Sequence, residues 1–396
     1  MIKRDIQKAV LEASTQFPVV AIVGPRQAGK TTLAQELFKQ HQYVSLEDHD
    51  QRDHAADNPR DFLDRHSNDH GIILDEIQRV PEILSYIQTY VDREKKRGYF
   101  ILTGSQNFLV NQAITQTLAG RVAILTLLPL SNSELIAASL LSSDLQTALF
   151  KGYYPSIYST EQMPQPTAYR WYKNYIATYV ERDVRQIINV SDLSVFQDFV
   201  ALCAGRIGQL VNLTSLGDDA GISYNTVKAW LSLLEASYII FKLKPHHNNF
   251  RKRIIRSEKL YFYDTGLACS LLGIEKAEQL TTHNMRGPLT ECLIISELRK
   301  QFFNADMTPG TYFWRDKTGH EVDCILELGQ KLIPIEIRSS RSISSDFFEG
   351  LTYWNTLAKK DSTQGYLVYA GDQDQTRSLG NVVSWKNVGN IIRNRS

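Results

Sequence analysis

The sequence predicts an α/β fold in which helices cover both faces of a parallel sheet, with further modules after it. Three observations carry that prediction. Through residues 1–130, short apolar runs at 19–23, 43–46, 71–75, 99–103 and 122–127 alternate with helix-like stretches such as 31–39, 81–96 and 107–118. Strands buried on both faces read as such unbroken apolar runs. A glycine-containing turn at 24–31 separates the first run from the first helix, and the third run ends on Asp75-Glu76.

The chain has 396 residues, 43% of them apolar and 22% charged, enough for two to four cores at roughly 100–200 residues each. The texture divides it into four blocks: a strand–helix core at 1–130, a helical lid or linker at 131–190, a helix-then-hairpin block at 191–264 and a mixed α/β block at 265–396. Lys and Arg total 44 against 43 Asp and Glu, a net charge of +1. That balance excludes the global basicity of a nucleic-acid coat protein, so any such contact must come from a local patch. Cys203, Cys269, Cys292 and Cys324 are too widely spaced for a CxxC zinc or redox motif, which fits a reducing, cytoplasmic setting. The first residues show no secretory pattern, and the longest apolar stretches, 18–24 and 122–130, fall far short of a span of about 20 residues. The expectation is a soluble cytoplasmic protein with no membrane partner.

Gly24-Pro25-Arg26-Gln27-Ala28-Gly29-Lys30-Thr31 matches GxxxxGK[ST], and Thr32 continues it into a helix. The order suits a triphosphate. Backbone N–H groups turn inward to cradle phosphate oxygens, and the helix N-terminus adds its positive end. Lys30 is expected to reach the β- and γ-phosphates, and the Thr31 hydroxyl to ligate Mg²⁺. Asp75 closes a buried strand, where an uncompensated carboxylate costs several kcal/mol, roughly. A magnesium ion shared with Thr31 would compensate it, and Glu76 would face the attacking water. Thr103 and Ser105, at the end of the 99–105 run, lie where a strand end can sense the γ-phosphate or orient water. Arg121, just before the fifth run, is a candidate for stabilising transition-state charge in cis or in trans, with Arg182 as its rival. A helix-end cation is the alternative reading of Arg121.

These pieces, with LDEIQ at 74–78, ILTGSQ at 101–106, YVERDV at 179–184, LYFYDTGL at 260–267 and EVDCILE…IPIEIRSS at 321–340, resemble one family. It comprises bacterial and archaeal AAA-type P-loop ATPases with a poorly characterised C-terminal region. The resemblance implies ATP and Mg²⁺ as cofactors, a five-stranded ATPase core, a winged helix and a restriction-endonuclease-like α/β domain. It places the nucleotide residues on Gly24, Gly29, Lys30, Thr31, Asp75 and Glu76. Lys151-Gly152-Tyr153-Tyr154 departs from it, since a double glycine is expected before the aromatic residues.

Residues 214–236 read as a short helix, a turn at Gly221 and a second helix capped by Ser223. Val227, Trp230, Leu231 and Leu234 recur at helical spacing and face inward. Tyr224, Asn225 and Lys228 then face outward, as on a recognition helix. Between 242 and 259 lie Lys242, Lys244, Arg251, Lys252, Arg253, Arg256 and Lys259 against Glu258 alone, an excess suited to duplex DNA phosphates. A packing role with a solvated basic loop stands equally against DNA contact. Finally, 321–328 and 332–338 form a hairpin around Gly329-Gln330. Val322 then meets Ile337, Cys324 meets Ile335 and Leu326 meets Ile333 on an apolar face. Asp323 meets Glu336 on the other, and facing carboxylates need a cation. With Glu291 they resemble a D…ExK-type metal site, but Arg338 replaces the lysine and cannot easily lose a proton. That replacement favours a structural site over metal-dependent cleavage.

The function expected is an Mg²⁺-dependent ATPase acting as a switch or motor coupled to DNA. The alternatives are a nucleotide-gated DNA-binding or scaffold protein with little turnover, and an ATP-regulated nuclease. A homo-oligomer is compatible with a trans role for Arg121, and the sequence selects no protein partner.

Overall fold

The computed structural model describes residues 2–105, 114, 116–159, 167–180, 193–246, 257–358 and 365–393, without the side chains of 105, 179 and 180. They form two compact units, the first built on residues up to Leu130 and the second on most of the remaining chain.

The first unit runs α1 (Gln7–Gln16), β1 (Val19–Gly24), α2 (Lys30–Leu37), β2 (Gln42–Ser45), α3 (His49–Asp57), α4 (Pro59–His66), β3 (Ile72–Asp75), α5 (Ile83–Glu94), β4 (Phe100–Ser105) and β5 (Val122–Thr126). The sheet order is β2-β3-β4-β1-β5, and every pairing is parallel. The apolar runs are continuous because both faces are covered. Val20 and Ile22 pack with Val10, Ala13, Leu33 and Ala34 on one side. Val19 and Ala21 pack with Phe62, Leu63, Ile83 and Ile87 on the other. The order places β4 between the strand leading into the Gly24–Thr31 loop and the strand ending in Asp75. In a parallel sheet, all these strand ends open on the same edge.

The second unit contains α6 (Asn132–Ala137), α7 (Leu145–Lys151), α8 (Ala168–Tyr175), α9 (Leu193–Ala204), α10 (Leu213–Ala220), α11 (Tyr224–Ala236), β6 (Ile240–Pro245), β7 (Lys259–Phe262), α12 (Thr265–Leu271), α13 (Arg286–Asn304), β8 (Thr311–Arg315), β9 (Glu321–Leu328), β10 (Lys331–Arg338), α14 (Glu349–Ala358), β11 (Tyr366–Tyr369), β12 (Gln375–Arg377) and β13 (Gly380–Ser384). The hairpin pairs as expected, with Ile333 opposite Leu326 and Ile335 opposite Cys324. Val322, Cys324, Leu326, Ile333, Ile335 and Ile337 are all buried.

The structure differs from the expected organisation at the 264/265 boundary. β6 and β7 pair antiparallel with each other and are continuous with later strands. They form the edge of one eight-stranded sheet, ordered β12-β13-β11-β10-β9-β8-β6-β7, through parallel pairing of Lys244 with Tyr312 and Pro245 with Phe313. The helices of the 191–264 block do match their expected ends. Gly221 takes φ 66°, the Ser223 side chain accepts from Thr226 N at 3.1 Å, and Val227, Trp230, Leu231 and Leu234 are buried.

The unusual Lys151-Gly152 pair has a local explanation. Gly152 sits at φ 65°, and a Cβ there would lie 2.0 Å from the Tyr172 hydroxyl oxygen and 2.6 Å from Asp264 Oδ1. Asp264 is buried and accepts from Tyr153 N at 2.7 Å and Leu267 N at 2.9 Å. One glycine is therefore obligatory, whereas Lys151 ends α7 with its ammonium 4.2 Å from the Tyr158 ring centre. The longer helix expected over 167–188 is α8 followed by a π-helical turn at Ile176–Val180. Its remainder, including Arg182, lies outside the described residues. All four cysteines are buried and free. Among the described residues no helix is long and apolar enough to cross a membrane.

Candidate functional site

The Gly24–Thr31 loop leaves β1 and enters α2 through two residues in the left-handed region, Gln27 at φ 63° and Gly29 at φ 92°. Gly24 packs so closely on the chain after β5 that a Cβ would lie 2.1 Å from Leu127 O. The buried Lys30 donates to Gly24 O at 3.1 Å and Pro25 O at 2.9 Å, so its ammonium is held across the loop backbone. Pro25 and Ala28 are buried, Arg26 is half-buried, and Gln27 and Thr32 are exposed. Arg4, which sequence reasoning missed, ties the loop from behind. Its buried guanidinium donates to Ala28 O at 2.8 Å and Leu128 O at 2.6 Å. No motif flags it, because its partners are backbone atoms distant in sequence.

Asp75 is 7% exposed at the end of β3. Thr31 donates its hydroxyl to Asp75 Oδ1 at 2.8 Å, and the buried Thr103 donates to the same oxygen. Tyr43, on the neighbouring β2, donates to Oδ2 at 3.0 Å. Burial, with the Asp75 charge beside it, pushes the Tyr43 hydroxyl up to about 12. Three hydroxyls thus compensate a carboxylate that would otherwise be costly to bury. The Thr103 hydroxyl therefore sits at the end of β4 against the Asp75 carboxylate. The side chain of Ser105 lies outside the described residues.

Glu76 adopts φ 58°, ψ 47°, an uncommon conformation for a residue with a side chain. The chain turns sharply there, and Gln78 donates its amide to the Glu76 carboxylate. Gln78 packs against the end of β4, where a Cβ on Gly104 would lie 2.6 Å from Gln78 Oε1. The half-buried Glu76 is therefore held beside the Asp75 strand end by Gln78, the last residue of the LDEIQ stretch.

Arg121 requires a correction. It precedes β5, and its backbone carbonyl accepts from Val19 N at the start of β1. Its guanidinium clamps Asp92 of α5 at 2.6 and 2.9 Å. The phosphate loop follows the other end of β1, about 17 Å away at strand rise. Arg121 does not complete this chain's own site.

The segment carrying these features has a recognised counterpart. Residues 16–136 match the family model described as an AAA domain. Over those residues the chain is similar to AAA domains. Residues 142–278 and 286–388 match two further models, each described as a domain of unknown function (DUF8612 and DUF4143). An uncharacterised protein of Mycobacterium tuberculosis is 29% identical over 352 residues, covering 86% of this chain and 75% of that protein. An uncharacterised Haemophilus influenzae protein is 23% identical over 211 residues, 51% of each. Among solved structures, a Walker-type ATPase of Pyrococcus abyssi is 15% identical, covers 68% of this chain and 96% of that one, and superposes with a TM-score of 0.41.

Outside the AAA domain, Tyr224 is 53% exposed at the start of α11, with Asn225 and Lys228 also exposed. The basic stretch is less available than its composition suggests. Lys242 pairs with Glu235 at 2.9 Å and Glu258 at 3.4 Å, and Lys259 is buried among carboxylates. Lys244 is exposed, whereas Arg251, Lys252, Arg253 and Arg256 lie outside the described residues. On the hairpin, Arg338 spans Asp323 at 3.0 Å and Glu336 at 2.9 Å. Glu291 lies 3.2 Å from Lys259 and accepts from the Tyr261 hydroxyl. Among the described residues, no group of three or more His, Cys, Asp or Glu side chains is arranged to hold a metal.

Proposed function

We propose that the chain is a Mg²⁺-dependent ATPase whose AAA domain acts as a switch or motor on duplex DNA. The observation that carries this reading is the meeting of Thr31 with Asp75 at 2.8 Å, beside a loop that holds a buried lysine. Two adjacent hard oxygen donors suit a small divalent ion, which usually keeps waters and uses substrate phosphates for its other ligands. Thr31 and Asp75 would hold Mg²⁺, which when bound would supply positive charge to offset the charge that develops on the transferring phosphate.

The chain's own residues do the rest. Backbone N–H groups of 26–31 and the start of α2 grip the phosphates. Lys30 exchanges loop carbonyls for phosphate oxygens. Thr103 and Tyr43 fix Asp75, and Gln78 fixes Glu76. Glu76 then orients the attacking water and accepts its proton, which raises its nucleophilicity at the γ-phosphate. Tyr224, Asn225 and Lys228, projecting together at one helix start, support duplex DNA as the partner.

Phosphate release measured with and without duplex DNA tests this reading. Wild type should turn over, and DNA should accelerate it. Glu76→Gln should lose at least about a hundredfold in rate while retaining ATP binding. Tight binding with no release by wild type would overturn the ATPase reading in favour of a nucleotide-gated scaffold.

A further inference from the structure

The second metal centre expected at Asp323, Glu336 and Glu291 does not fit the residues that surround it. Four carboxylates converge there: Glu291 of α13, Glu321 and Asp323 of β9, and Glu336 of β10. Lys259, projecting from β7, is buried with Nζ 3.2 Å from Glu291 Oε1 and in contact with Glu321 Oε1. Arg338 Nη1 lies 3.0 Å from Asp323 Oδ2, and its Nη2 lies 2.9 Å from Glu336 Oε2. Arg315 adds a contact of 3.4 Å to Glu321 Oε2. Asp323 Oδ2 also accepts from Ile337 N at 2.8 Å, and Tyr261 donates to Glu291 Oε1.

A divalent ion needs these oxygen lone pairs at about 2.0–2.6 Å. Lys259 and Arg338 already sit on Glu291 Oε1, Glu321 Oε1, Asp323 Oδ2 and Glu336 Oε2, while Glu336 Oε1 is buried without a hydrogen-bond partner. A metal entering would have to displace the buried Lys259 ammonium from both glutamates, leaving a buried charge unpaired. The packing agrees with fixed occupancy. Glu336 is 2% exposed and presses its carboxylate onto Gly350, where a Cβ would lie 1.9 Å from Oε1.

We propose that the cluster is a tethered-cation centre. Lys259 and Arg338 stand where a metal ion would, so the native chain takes no divalent metal there and does not cut nucleic acid with these residues. The cluster instead ties β7, β9, β10 and α13 to one another. Lys259 is thereby reassigned from a DNA-phosphate contact to the centre of a buried charge cluster.

Manganese titration of the nucleotide-free full chain, read by electron paramagnetic resonance, tests this. Wild type and Asp323→Asn should bind Mn²⁺ identically, since any weak binding at the nucleotide loop is common to both. Lys259→Met, folded by circular dichroism, should gain one Mn²⁺ per chain at least about tenfold tighter than any wild-type site. Adding Asp323→Asn should abolish that gain. The proposal is overturned if wild type holds a Mn²⁺ that Asp323→Asn removes, or if folded Lys259→Met gains none. It is also overturned by Mn²⁺-dependent plasmid cleavage that Asp323→Ala or Glu336→Ala eliminates. Should Lys259→Met fail to fold, the wild-type comparison and the cleavage assay still decide it.

Discussion

Asp75 shows how one residue shapes the nucleotide site. A buried carboxylate survives because Thr31, Thr103 and Tyr43 each give it a hydroxyl. Two of those, Thr31 and Thr103, were visible in the sequence as candidate site residues. Tyr43 was not, because only strand adjacency in the fold brings it to Asp75. Tyr43→Phe should cost about 1–2 kcal/mol of stability in urea unfolding, less in the presence of MgATP, because it removes a hydrogen bond to a charged group. Glu291 gives a second test at this scale. Burial pushes its carboxyl up to about 7, with Lys259 opposing the shift. The neighbouring Lys259 is itself held above its usual range. Burial raises Glu291 against the pull of Lys259, whereas Lys259 is raised by Glu291, Glu321 and Asp323 against its own burial. With the folded value above the unfolded one, Glu291's contribution is fully present at low pH. It is lost as pH rises from about 4.5 through 7, an effect of about 1–3 kcal/mol. Unfolding free energy should therefore fall more steeply between pH 5 and pH 8 for wild type than for Glu291→Gln.

Among the elements, the strands of the first sheet and the β9–β10 hairpin were the most legible. Their signals are local. A continuous apolar run marks a strand buried on both faces, and alternation around Gly329-Gln330 set the register of Cys324 with Ile335. Gly24 links the β1 element to its neighbour in a way that can be tested. Gly24→Ala should lose about 2–3 kcal/mol in thermal or urea unfolding, because the added Cβ meets the Leu127 carbonyl and backbone has to move. An unchanged melting temperature would show that the close approach is not maintained in solution. The position of Arg121 was also legible in principle. A residue that precedes a parallel strand lies at its amino end, whereas the phosphate loop follows a carboxyl end.

At the scale of the whole molecule, the 264/265 boundary read from sequence texture falls within one eight-stranded sheet. The reason is topological. The pairing of Lys244 with Tyr312 joins strands far apart in the chain, and parallel pairing at that separation leaves no turn signal to read. The same blindness hid Lys259, whose composition reads as a basic stretch and whose partners come from α13 and β9. Motifs with short spacing carried the nucleotide site, whereas long-range pairings decided which charges remain available to a partner.

The central claim is that residues 24–31, with Asp75, form a working nucleoside triphosphate site. Calorimetric titration of the full chain with MgATP tests it most directly. Wild type should bind one nucleotide per chain, and Lys30→Ala should weaken binding by at least about tenfold, a loss of about 1.4 kcal/mol or more. No heat from wild type at millimolar nucleotide, or undiminished binding by Lys30→Ala, would contradict the account.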